Sequence, residues 1–246
     1  MTDNKVAVII GAGDAIGSAI GRRFAKGGHT VCLVRRSLEK AAPHVAAIQA
    51  AGGQAHAFST DARDEAAMTA LFETIERDIG PIDVCVFNAG ANTQMPALET
   101  SGTLYQRVWQ LACFAGFVTG REAIRQMLPR GRGTLLFTGA TASLRGGAGF
   151  AAFAAAKAGL RATAQSLARE FGPRGIHVAH LVIDGGVDSP AIHARRLAKL
   201  GPDAPPPEPG SLIALDSVAD AFWSLHVQPR DAWSFEMDIR PSVEPW

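Results

Sequence analysis

Tyrosine is almost absent from this chain. Tyr105 is the only one in 246 residues, so a step that needs a phenol elsewhere must do without one. Cysteine is scarce as well: Cys32, Cys85 and Cys113 are odd in number, far apart and set in apolar runs. That excludes a disulfide framework and paired zinc spacing, and it suits reduced thiols in a core. Neither sign of charge is in excess, with a net charge of +1, so no global field is there to recruit nucleic acid or an anionic membrane. No apolar run approaches the ~18 residues that read as a membrane span. The start, Met1-Thr2-Asp3-Asn4-Lys5, has neither the basic nor the apolar region of a secretion signal. A cytoplasmic protein with no nucleic-acid or membrane partner is expected. Gly-x-Ser-x-Gly elbows and Walker loops are missing. His177 and His180 stand three apart on an extended run and face opposite ways, so no metal site is expected there or elsewhere.

What is present is alternation. Apolar, β-rich runs at 5–10, 30–35, 54–59, 82–87, 134–138 and 177–183 predict strands, most of them continuous enough to be buried on both faces. Helical segments at 16–26, 38–51, 65–79, 103–128 and 150–171 lie between them, stopped by Gly27-Gly28, Gly52-Gly53 and Gly80-Pro81. The pattern predicts an α/β fold, a doubly wound parallel sheet in a single domain spanning 1–246, with a ligand at the carboxyl ends of the strands. A last strand is expected within 233–240, followed by an aromatic-tipped tail ending at Trp246. The Pro-rich stretch 201–210 cannot be helix or strand and is expected to close a surface flap at about 188–212. Arg161, Arg169 and Arg174 read as a charged helix face.

The first strand runs into Gly11-Ala12-Gly13-Asp14-Ala15-Ile16-Gly17. Glycines there permit a tight turn and let backbone N–H groups reach a pyrophosphate at a helix start. Asn88-Ala89-Gly90 follow the fourth strand, and Phe153 and Lys157 stand one helical turn apart on one face. With these motifs the chain resembles the short-chain dehydrogenase/reductase family nearly end to end.

That resemblance implies a Rossmann-type nucleotide-binding domain and assigns its contacts. Gly11 and Gly17 match the family's glycine motif, with Ile10 in place of Thr and Ala15 in place of the middle Gly; Gly13, Asp14 and Ile16 complete the loop. The Ala15 methyl is accommodated if its φ is negative. Asp61 and Ala62 match the adenine edge, while Asn88, Ala89 and Gly90 match the loop beside the ribose. Gly185, Val187 and Ser189 match the segment that holds the carboxamide, where Asp184 replaces a Pro and is given no catalytic role. Arg35 and Arg36 stand where an acid would select NAD(H). They suit a 2′-phosphate and favour NADP(H) over NAD(H); the alternative is a solvated pair at a helix start.

The catalytic positions are another matter. The family's Asn, Ser and Tyr fall on Cys113, Ala140 and Phe153, and Lys157 alone is kept. A general acid contributes ~10²–10⁴-fold and an oxyanion donor ~10²–10³-fold. Losing both disables ketone reduction by the family's route. Thr141, beside the Ser position, is the hydroxyl placed to orient a substrate, against the commoner role of a turn or cap bond. Two functions are therefore expected as alternatives. One is a divergent NADP(H)-dependent oxidoreductase for a small-molecule substrate, with water, substrate or a loop hydroxyl supplying the proton. The other is a non-catalytic NADP(H)-binding sensor or assembly protein. The resemblance also implies a homodimer or homotetramer built on the helices at 103–128 and 150–171.

Overall fold

The computed structural model describes residues 5–244. Seven parallel strands make one sheet in the order β3-β2-β1-β4-β5-β6-β7. They are β1 (Val6–Ile10), β2 (Thr30–Arg35), β3 (Gln54–Ser59), β4 (Ile82–Phe87), β5 (Gly133–Thr138), β6 (Ile176–Ile183) and β7 (Glu236–Ile239). Every residue of β1 and of β6 is buried, because helices cover both faces of the sheet. On one face α3 (Glu65–Thr74), α5 (Ala115–Met127) and α6 (Ala151–Phe171) pack Phe72, Val118 and Leu160 around Phe87 and Phe137. On the other, α1 (Ile16–Lys26), α2 (Leu38–Ala50) and α8 (Leu215–His226) pack Phe24, Ile48 and Phe222 against Val31, Val84 and Leu136. The winding reverses between β1 and β4, which opens a crevice at the carboxyl ends of the strands.

The structure departs from the expected elements in its helices. The helix expected at 103–128 is α4 (Gly102–Trp109) and α5 joined by a single π turn, Gln110–Phe114; α3 likewise ends in a π turn, Ile75–Ile79. Two helices went unread. One is α7 (Pro190–Leu200), which buries no side chain and so carries little core signal, and the other is α8, whose Val218, Phe222 and Leu225 do mark a buried stripe. Stretch 201–210 is irregular, and Val187 pairs with Ile213 where the segment 188–212 leaves and rejoins the fold. Ile213 N–H donates to Gly186 O at 2.8 Å and Asp188 N–H to Ile213 O at 2.8 Å. Arg161 is more than part of a charged face: it forks onto Glu236 at 2.6 and 2.8 Å, pinning α6 to β7. The expected tail tip, Pro245 and Trp246, and residues 1–4 lie outside the described residues.

Candidate active site

A cavity of about 660 Å³ lies at the carboxyl ends of the strands. Its phosphate end is the turn from β1 into α1. Gly11 has φ +82°, and a Cβ there would sit 2.6 Å from Ala89 N; one on Gly17 would sit 2.6 Å from Gly11 O. A Cβ on Gly13 would meet only Gly11 O, at 4.0 Å. Two glycines are thus fixed by packing, and the third leaves open space before the start of α1, which no side chain caps. Such a cradle fits a pyrophosphate. Ala15 has φ −105°, the negative sign that its methyl requires.

Asp14 accepts hydrogen bonds from Arg35 at 2.6 Å and meets His44 Nε2 at 3.0 Å. Arg35, and after it His44, hold the carboxyl below its usual range. Arg35 also donates to Lys40 O at 2.8 Å, so its guanidinium is engaged within the protein. Arg36 and Lys40 are exposed on the cavity rim beside Ser37. Across from them Asp61 is forked by Arg63 at 2.9 and 2.5 Å, and that guanidinium draws the carboxyl down to about 2. Ala62 is buried beside it.

Asn88 ties three strand ends together. Its backbone N–H donates to Ile10 O at 2.8 Å, its Nδ2 donates to Gly11 O at 3.0 Å, and its Oδ1 accepts from Thr138 Oγ1 at 3.0 Å. Thr138 in turn presents its carbonyl to Lys157 Nζ at 2.7 Å. A Cβ on Gly90 would lie 3.5 Å from the same Nζ, so the Asn88-Ala89-Gly90 loop passes directly over Lys157. Lys157 is 4% exposed, and burial pulls its ammonium down to about 8. The Phe153 ring centre stands 5.8 Å from it.

Cys113, Ala140 and Phe153 meet in one apolar cluster with Val108, Ala112, Ala152 and Ala156. Phe153 and Ala140 line the cavity, and Cys113 packs behind against Gly159, where burial pushes its thiol up. Thr141 does not line the cavity: its hydroxyl donates to Asp184 Oδ1. Asp184 is fully buried and also holds Arg145 at 3.4 Å and Arg240 at 3.2 Å. Gly185, at φ +153°, leaves room for Pro241, whose Cδ would be 2.5 Å from a Cβ. Val187 and Ser189 complete that wall, and the Ser189 hydroxyl caps α7.

The cavity therefore gathers Gly11, Gly13, Asp14, Ala15, Ile16, Gly17, Arg35, Arg36, Asp61, Ala62, Asn88, Ala89, Gly90, Lys157, Gly185, Val187 and Ser189. It leaves out Thr141 and Cys113. Sequence reasoning missed Lys40, Asn92, Leu111, Ile192 and Arg195 on its wall. Lys40 was findable, a second cation in the first turn of the helix that follows Arg36; Leu111 and Arg195 lie on elements whose facing no local pattern shows.

Comparison with known proteins agrees with this geometry. Residues 5–199 match the family described as short chain dehydrogenase. A crystal structure of a short-chain dehydrogenase from Rhodopseudomonas palustris is 49% identical, with a TM-score of 0.82 over 98% of this chain and 100% of that one. The cyclic-di-GMP-binding biofilm dispersal mediator protein of Escherichia coli (strain K12) is 35% identical over 187 residues, 76% of this chain and 75% of its own. A 3beta-hydroxysteroid dehydrogenase of Mediterraneibacter gnavus is 32% identical over 192 residues, 76% of this chain and 68% of its own. In fold, in its nicotinamide-cofactor pocket and in sequence, this chain belongs to the short-chain dehydrogenase family.

Proposed function

We propose that the protein is an NADP(H)-dependent reductase of small molecules that works without a protein phenol, acting on activated carbon–carbon double bonds. The observation that carries this reading is the cavity wall around Lys157. Phe153 and Ala140 form an apolar surface there, and Thr141 is turned into Asp184. Apart from the Lys157 ammonium, which Thr138 O holds and which the ribose would engage, that wall supplies no acid for an alkoxide. A double bond conjugated to a carbonyl needs none at the carbon that receives the hydride, since the electron pair moves to the carbonyl oxygen and the α-carbon takes its proton from water.

Bound NADPH would supply the hydride; the chain's own groups bind and orient. The Gly11–Gly17 turn receives the pyrophosphate, and Arg36 and Lys40 neutralise a 2′-phosphate. Lys157 donates to the ribose hydroxyls from its place on Thr138, while Phe153, Ala140 and Leu111 exclude water from one side of the substrate. Segment 188–212 closes over the substrate end, with Ile192 and Arg195 facing the cavity. Catalysis then rests on positioning.

Single-turnover oxidation of bound NADPH across enoyl thioesters, enones and simple ketones tests the reading. Oxidation by the conjugated substrates and none by the ketones is expected. No oxidation by any of them refutes it. Calorimetric titration is expected to show NADPH bound more tightly than NADH, with Arg36→Ala plus Lys40→Ala erasing the difference.

A further inference from the structure

The amino ends of the strands, opposite the cavity, carry a second cluster of reactive groups, which hydride chemistry does not use. His29 stands immediately before β2, Asp83 is the second residue of β4, and His226 closes α8. His29 Nε2 lies 3.1 Å and His226 Nε2 3.5 Å from one and the same oxygen, Asp83 Oδ2. All three atoms lie within 4.8 Å of one another. A divalent ion bound at ~2.0–2.2 Å holds neighbouring tetrahedral ligands roughly 3.3–3.6 Å apart. Two sides of this triangle are close to that spacing. The third closes by a swing of imidazoles whose planes are 70° apart and whose centres are 5.2 Å apart.

The surroundings suit a ligand set. His226 Nδ1 lies 3.0 Å from Thr134 Oγ1, the kind of outer bond that orients a ligating imidazole and leaves Nε2 facing inward. Among the described residues His29 Nδ1 has no hydrogen-bond partner, so none of them competes with Asp83 for the orientation of that ring. Phe24 and Trp223 wall His29 edge-on at 5.5 and 5.9 Å. Asp83 keeps 17% exposure, a way in for an ion and for a water as fourth ligand, and Lys5, at 4.0 Å and half exposed, can swing aside.

We propose that His29, Asp83 and His226 form a three-ligand site for a divalent transition metal of the zinc class, completed by water. Two imidazoles and a carboxylate are a borderline donor set that takes Zn²⁺ or Co²⁺ in preference to Mg²⁺ or Ca²⁺. The ion would rivet β2, β4 and α8 at the amino ends of the strands, remote from the cavity.

Titration of the tag-free chain with Zn²⁺ by calorimetry, and with Co²⁺ by visible absorption, decides the matter. One equivalent should bind, with the d–d bands of a four-coordinate nitrogen and oxygen site, no thiolate charge-transfer band and a raised melting temperature. His29→Gln, Asp83→Asn and His226→Gln should each weaken binding by more than the ~10–100-fold that loss of an outer partner costs, while NADPH still binds. His44→Gln and His193→Gln should leave it unchanged. Failure to bind one equivalent, a thiolate band, or binding indifferent to the three substitutions overturns the proposal. Should the variants not fold, the stoichiometry and Co²⁺ spectrum of the unmodified chain decide alone.

Discussion

Lys157 is held by one carbonyl and an apolar ring, and that has consequences for pH. Its ammonium is lowered to about 8 from 10.5 by burial. Below pH 8 the folded state must carry a buried charge that the unfolded state leaves in water. Between pH 8 and 10.5 the unfolded chain binds the extra proton, so this residue's contribution to stability rises with pH. Lys157→Met is therefore expected to raise the urea midpoint at pH 7 and to lose that advantage by pH 10. At pH 7 it should also weaken NADPH binding about tenfold, the loss of a charge-assisted bond of ~1.5 kcal/mol. The apolar neighbours make a second expectation. Phe153→Tyr alone restores a phenol but no oriented substrate. Adding Ala140→Ser and Cys113→Asn should give NADPH-dependent reduction of a reactive diketone with a pH dependence that the parent lacks. A folded, NADPH-binding triple variant with no such activity contradicts this placement of the three residues. Asp184 shows where residue-by-residue reading stops. A carboxylate replacing a proline is visible in sequence, but its partners come from two separate segments, Thr141 and Arg145 after β5 and Arg240 after β7. Asp184→Ala takes a partner from the half-exposed Arg145 and from Arg240, which keeps Asp238 at 2.7 Å, and should cost about 1–2 kcal/mol in a denaturant titration.

At the scale of elements, the turn from β1 into α1 is where sequence spoke most plainly. Gly17 cannot carry a methyl because Gly11 O and the Ala12 Cα stand 2.6 and 2.7 Å away, and backbone does not yield as a side-chain tip does. Gly17→Ala is expected to lower the melting temperature and abolish the further rise that NADPH gives the parent, read by thermal shift with and without cofactor. Strands were legible for a related reason. A strand covered on both faces must be apolar throughout, and runs such as Val6–Ile10 advertise that without any partner. The π turn at Gln110–Phe114 and helix α7 were not legible. The first changes a hydrogen-bond register without changing composition, and the second has no buried face to leave a periodic trace. The His29, Asp83 and His226 cluster was illegible too, since strand order alone brings together residues 54 and 143 positions apart.

On the whole molecule, Tyr105, Trp109 and Phe117 of α4 and α5 stand about 40% exposed, at spacings of four and eight that keep them to one side. Large aromatic rings so exposed favour association. Light scattering at micromolar concentration is expected to give a dimer or tetramer, and Trp109→Glu plus Phe117→Glu a monomer; a monomeric parent contradicts this. The pairing of Val187 with Ile213 has a different reach. Because the segment 188–212 departs and returns at adjacent points, its span is independent of its length. Loop closure grows costlier by only about 0.6 kcal/mol per doubling of length. The stretch is in effect a socketed cassette: lineages can lengthen it, shorten it or trade it whole, and so change what the pocket accepts while the sheet is inherited untouched.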